Sequence, residues 1–124
     1  MTSSDIVSLH VPLTQETRKM VSVDFLSKMK RRSMLINTSR GELIDDDVLL
    51  AKLESCPDFW FGADVFNGQP TEMVSHDFEH PIAQHARVYG THHCGASTEQ
   101  AEAAISKEAV RVIRKFSEEG VVDR

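Results

Sequence analysis

Apolar blocks separated by polar, capped stretches run the length of the chain. The first, DIVSLHVP (Asp5–Pro12), is β-branched and apolar and stops at a proline, the pattern of a fully buried strand. SVDFLSKMK (Ser22–Lys30) follows as a helix, with Ser22 as its N-cap and Asp24 in the first turn. MLINT (Met34–Thr38) is a second strand that runs out into polar residues and Gly41. DDDVLLAKLES (Asp45–Ser55) opens on three acids, which suit the positive end of a helix dipole, and sets Leu49, Leu50 and Leu53 on one face. FWFGADV (Phe59–Val65) and ARVYGT (Ala86–Thr91) are the third and fourth strands. STEQ (Ser97–Gln100) has the capping-box pattern and starts a last helix, in which Ile105, Ala109, Val112, Ile113 and Phe116 recur at helical spacing before a stop at Gly120.

Strands alternating with helices of these lengths predict an α/β fold class with a parallel sheet built from βαβ units. Ligands of such sheets bind beyond the carboxyl ends of the strands. Attention therefore falls on the segments after each strand: His10 to Pro12, Asn37 to Gly41, Asp64 to Gln69 and His92 to Thr98.

Composition narrows the partners. A chain of 124 residues with 40% hydrophobic and 27% charged positions is one soluble domain with a real core. Its net charge of −5 argues against general binding to nucleic acid or anionic membranes. The short basic run at Lys28, Lys30, Arg31 and Arg32 reads as the solvated end of a helix. Two cysteines without a CxxC pair, no membrane-length apolar run and an N-terminus (MTSSD) without a signal-peptide core lead us to expect a cytoplasmic protein.

Three side chains on the expected ligand edge carry candidate chemistry. Arg40, in NTSRG, has the fork geometry to hold a carboxylate and polarise a neighbouring carbonyl, or it is a surface Arg on a turn. His93, in THHCGAST, can exchange a proton with a substrate oxygen near neutral pH, or serve structure before a helix. Asp64 ends an apolar strand and needs donors, from a ligand amide or from its own turn. His76 and His80 stand four apart, a spacing that zinc sites use, yet Pro70 and Pro81 bound a stretch of little apolar periodicity. A polar loop is the expectation there, and no metal.

Together DIVSLHVPLTQETRKMV, LINTSRGELIDDDVLLAKL, GADVFNGQP and THHCGASTEQAEAA resemble the NAD-dependent D-2-hydroxyacid dehydrogenases, and most nearly the D-3-phosphoglycerate dehydrogenases. The resemblance implies a partial Rossmann fold, the second half of a doubly wound NAD-binding domain over 1–124, with the last helix returning toward a substrate domain. It also implies hydride transfer between a 2-hydroxy acid and its 2-keto acid, with NAD as cofactor. By position, Arg40 would bind the substrate carboxylate and keto oxygen and His93 would be the general acid/base. Asp64 would hold the nicotinamide carboxamide. Val11, Thr38, Ser39, Arg40, His93, Cys94, Gly95 and Ala96 would touch the cofactor, largely through backbone groups.

Two departures from the family pattern qualify that expectation. Gln69 stands where most members carry a Glu paired with the catalytic His, and His92 where a Pro is usual. An amide can orient an imidazole but supplies no full charge to its protonated form. Formate dehydrogenases of the same superfamily carry Gln there, so formate chemistry is an alternative. The second departure is that no G-x-G-x-x-G turn occurs; the six glycines lie at 41, 62, 68, 90, 95 and 120. The expectation is a truncated dehydrogenase, inactive alone, or a non-enzymatic α/β interaction module. In either case DIVSLHV becomes a sheet edge, which predicts self-association or pairing with a missing N-terminal half.

Overall fold

The computed structural model describes residues 2–70 and 79–120. Its chain divides into two units, Met1–His93 and Cys94–Arg124. Among the described residues of the first, four strands form a single all-parallel sheet in the order β1-β2-β3-β4. These are β1 (Ile6–Leu9), β2 (Met34–Asn37), β3 (Trp60–Ala63) and β4 (Val88–Gly90), with helices α1 (Val23–Ser27) and α2 (Asp46–Ser55) in the first two crossovers. The register sets Leu9 beside Asn37 and Asn37 beside Ala63, so the carboxyl ends of β1, β2 and β3 finish level. The α/β parallel architecture expected from the sequence is the one observed.

One face of the sheet makes the core. Leu9, Leu35, Phe61 and Ala63 point inward and pack with Leu26 and Met29 from the α1 region and Leu49 and Leu53 of α2. Val21, Leu43 and Phe59 close the layer and are fully buried. Each such side chain contributes roughly 1.5–3 kcal/mol on burial. Leu50, expected on the same face as Leu49 and Leu53, is only half-buried.

The other face explains one correction. β1 reads as a fully buried strand, yet only Leu9 is buried and Ile6 is 62% exposed. β1 is an edge strand, and its outward positions share a face with Met34, Trp60 and the exposed Tyr89, away from the packed helices. Trp60 and Tyr89 stack there with ring centroids 5.9 Å apart.

Other differences are at element ends. α1 stops at Ser27, three residues before the expected Lys30, because the Lys28 N–H already turns back to Phe25 and Leu26 carbonyls. Its N-cap is Ser22 as expected.

In the second unit, α3 (Glu99–Glu119) starts one residue later than STEQ suggests. Thr98, not Ser97, is the cap, and its hydroxyl accepts from the Ala101 N–H at 3.1 Å. The third helical position is therefore Ala101, and Gln100 has no reciprocal capping role. Gly120 ends α3 in the left-handed conformation, φ 69°, with its N–H on the Phe116 carbonyl. Ile105, Ile113 and Phe116 of α3 are exposed. Among the described residues no helix is long and apolar enough to cross a membrane.

Candidate active site

The loop after β2 is shaped from below by a buried amide. Asn37 is fully buried, the last residue of β2. Its Nδ2 donates to the Arg40 carbonyl at 2.9 Å and its Oδ1 accepts from the Ser39 N–H at 3.1 Å. One side chain thus holds Thr38, Ser39 and Arg40 in a tight turn. Ser39 Oγ donates to the Leu9 carbonyl at 2.8 Å, tying this turn to the end of β1, where Val11 packs on the core. Thr38 is exposed, and so is Arg40, whose guanidinium Nη1 folds back to the Ser39 carbonyl at 2.6 Å.

Gly41 follows because nothing larger fits. A Cβ there would lie 2.2 Å from the Phe66 carbonyl carbon and 2.3 Å from the Asn67 nitrogen. The Arg40 loop and the loop after β3 meet backbone to backbone. The second of these loops closes through the Gln69 N–H to the Phe66 carbonyl at 3.4 Å, with Gly68 at φ 69° in a turn position that favours glycine.

Asp64 begins that second loop and is buried. Its backbone N–H continues the ladder to the Asn37 carbonyl at 3.0 Å, and its Oδ1 accepts from Thr91 Oγ1 at 2.5 Å. Gln69, half-buried, uses its Oε1 to accept the Phe66 N–H at 3.2 Å. The amide is a turn-forming group here, independent of any role toward an imidazole.

His93 extends the ladder past β4. The Thr91 N–H bonds the Ala63 carbonyl at 2.9 Å and the His93 N–H bonds the Asp64 carbonyl at 2.8 Å. His93 adopts φ 60°, unusual for a residue with a side chain, and its ring is exposed. Such a conformation costs on the order of 1–3 kcal/mol and persists only where the surroundings fix it.

Val11, Thr38, Ser39, Arg40, Asp64, Gln69 and His93 therefore all lie in the loops at the carboxyl edge of one sheet. Cys94, Gly95 and Ala96 belong to the second unit, in the turn closed by the Ser97 N–H on the Cys94 carbonyl at 3.0 Å. Among the described residues, no group of three or more His, Cys, Asp or Glu could hold a metal ion. His80 is paired with Asp46 at 3.3 Å, and His76 lies outside the described residues.

Sequence reasoning passed over Asn37, Gly41 and Thr91 as working parts. The one available signal was a polar Asn ending the apolar run MLIN, since an amide at a buried strand end must find partners.

Residues 1–95 match the family described as D-isomer specific 2-hydroxyacid dehydrogenase, NAD binding domain. Hydroxypyruvate reductase of Thermotoga maritima is 35% identical over 118 residues, 95% of this chain and 37% of that protein. D-3-phosphoglycerate dehydrogenase of Escherichia coli K12 is 37% identical over 117 residues, 94% of this chain and 28% of that one. Among solved structures, the NAD-complexed D-isomer specific 2-hydroxyacid dehydrogenase of Lactobacillus delbrueckii ssp. bulgaricus superposes with a TM-score of 0.79 at 26% identity, covering 99% of this chain and 39% of its own. D-lactate dehydrogenase of Aquifex aeolicus, complexed with NAD and lactic acid, gives 0.70 at 32%, covering 94% and 38%. The chain spans well under half the length of these relatives. With that domain matched over most of its residues and the same sheet shared with an NAD-complexed enzyme, the chain belongs to the D-isomer specific 2-hydroxyacid dehydrogenase family, in its NAD-binding domain.

Proposed function

We propose that this chain supplies the nicotinamide-side half of an enzyme that interconverts a D-2-hydroxy acid and its 2-keto acid, with 3-phosphoglycerate as a candidate substrate. One observation carries the reading: Arg40, Asp64 and His93 follow three neighbouring parallel strands, and backbone hydrogen bonds link Asn37 to Asp64 and Asp64 to His93. In this reading Arg40 binds the substrate carboxylate as a fork, and the His93 imidazole takes up or returns the hydroxyl proton. NAD, when bound, supplies the hydride acceptor or donor. The chain's donor set fits the nicotinamide end: the buried Asp64 carboxylate at the strand end is suited to accept from a carboxamide, and the Thr38–Ser39 turn offers backbone groups. We place α3 as the return toward a substrate domain, and the protein in the cytoplasm.

The test is a titration of the 124-residue chain with NADH, followed by Trp60 quenching or nicotinamide emission. Saturation with a micromolar Kd, about −8 kcal/mol, is the expected result. A flat response up to millimolar NADH would favour the second reading, an α/β interaction module. That reading draws on the exposed β1 edge and the open face around Ile6 and Tyr89. Sedimentation of the same samples reads self-association directly.

Gln69→Glu keeps the acceptor for the Phe66 N–H and adds a full charge for an imidazolium. Turnover of a 2-hydroxy acid, measured on the form of the protein that carries the activity, is expected to rise at least about tenfold. That is a small part of the ~10⁴ that the reverse exchange beside a catalytic His costs in a serine protease. An unchanged rate in a folded variant would mean that the amide does not limit the site.

A further inference from the structure

His80 sits outside the loops just described, yet it is 9% exposed and engaged on three sides. Its Nδ1 accepts the Ile82 N–H at 3.3 Å, so that nitrogen carries no proton. The ring proton is then on Nε2, which faces Asp46 Oδ2 in the first turn of α2 at 3.3 Å. The ring lies tilted against Phe66, with centroids 5.4 Å apart.

Phe66 is where the site's loops meet. Its carbonyl carbon is what excludes a side chain at Gly41, one residue past Arg40. Its N–H is bonded by Gln69 Oε1. Its ring reaches β4: a Cβ built at Gly90 would stand 3.0 Å from Phe66 Cζ. A shift of Phe66 therefore moves the Arg40 loop, the Gln69 turn and the end of the strand that leads to His93.

We infer that His80 is a positioning residue: fixed by Asp46 and Ile82, its ring holds Phe66 against Gly41 and Gly90 and so sets the spacing of Arg40, Gln69 and His93. The functional meaning of that spacing rests on the dehydrogenase reading. The geometry itself does not.

NMR of the isotope-labelled 124-residue chain without cofactor tests it. Long-range nitrogen–proton correlations of the wild type are expected to show the proton on Nε2, and cross-relaxation to connect the His80 and Phe66 rings. His80→Asn keeps an acceptor for Ile82 but removes the ring. It is expected to shift the Gly41, Phe66, Gln69, Gly90 and His93 amides more than those of α1. His80→Phe keeps an aromatic ring and loses both polar partners. It is expected to shift Ile82 and Asp46 while returning Gly41, Gln69 and Gly90 toward wild type. A merely structural role would lower the melting temperature of both variants and leave the site amides in place, which overturns the inference. Should neither variant fold, the wild-type spectra decide: no contact between the two rings, or the proton on Nδ1, also overturns it. Failure to bind NADH would bear on the dehydrogenase reading alone.

Discussion

Gly41→Ala is expected to do more damage than alanine at Gly62, Gly68, Gly90 or Gly120. The new Cβ would stand 2.2 and 2.3 Å from backbone atoms of Phe66 and Asn67, and no side-chain rotation can relieve a clash with backbone. The two loops must part by at least roughly 1.3 Å to reach ordinary contact at about 3.5 Å. Overpacking of this kind costs typically about 1–3 kcal/mol, and the upper end is expected because both sides are main chain. The same displacement moves Arg40 away from Asp64 and Gln69. Misplacement by about 1 Å costs on the order of 10²-fold in rate where these groups act on one substrate. Gly68→Ala is the control. It sits at φ 69° with nothing within 4 Å of the added atom, so its cost is the conformational one alone, roughly 1 kcal/mol. Urea unfolding of both variants checks the contrast. Equal midpoints would mean that the loops do not meet as tightly as described.

The sequence made the layered αβ alternation legible because each element carries its own local signal. Ser22 caps α1, the acids open α2, and Gly120 stops α3. The ligand edge followed from the parallel sheet alone. The edge position of β1 was expected from the missing glycine-rich half, but its burial was not legible: its apolar run is the same whether helices cover one face or two, and only the packing of the core on one face shows Ile6 outside. The cap of α3 was ambiguous because Ser97 and Thr98 both qualify and STEQ fits a pattern that the chain does not use. Within the site, the residues that face ligand were readable by type, since Arg, His and Asp at strand ends invite chemistry. The residues that hold them were not. Gly41 matters through a contact with Phe66, twenty-five positions away. His80 matters through Asp46 and Phe66. Such pairings depend on register, which composition does not encode.

Asn37 gives the second large effect, and its two substitutions separate shape from hydrogen bonding. Asn37→Ala empties a fully buried position, leaves the Ser39 N–H without its partner and leaves the Arg40 carbonyl with only the Leu43 N–H at 3.3 Å. The orphaned donor costs about 1–3 kcal/mol and the second lost bond about 0.5–1.5 kcal/mol, so a loss of about 2–4 kcal/mol is expected, with the Thr38–Arg40 turn loosened. Asn37→Asp keeps the volume and the acceptor for Ser39. It replaces the donor toward Arg40 with a carboxylate oxygen facing a carbonyl, and it buries a charge. At neutral pH it is expected to be at least as destabilising as Asn37→Ala, despite the closer fit. The protonated carboxyl, however, can donate to the Arg40 carbonyl as the amide does. Burial and the facing carbonyl favour that neutral form, so the folded protein holds the introduced carboxyl's pKa above its unfolded value of about 3.9. The penalty relative to wild type is then complete above the folded pKa and fades as pH falls toward the unfolded one. Parallel denaturant titrations of wild type and Asn37→Asp across that acidic range read the difference directly. A gap that stays constant with pH would mean that the Asn37 Nδ2 bond to Arg40 does not hold the turn, and that the placement of Arg40 depends on Gly41 and Ser39 instead.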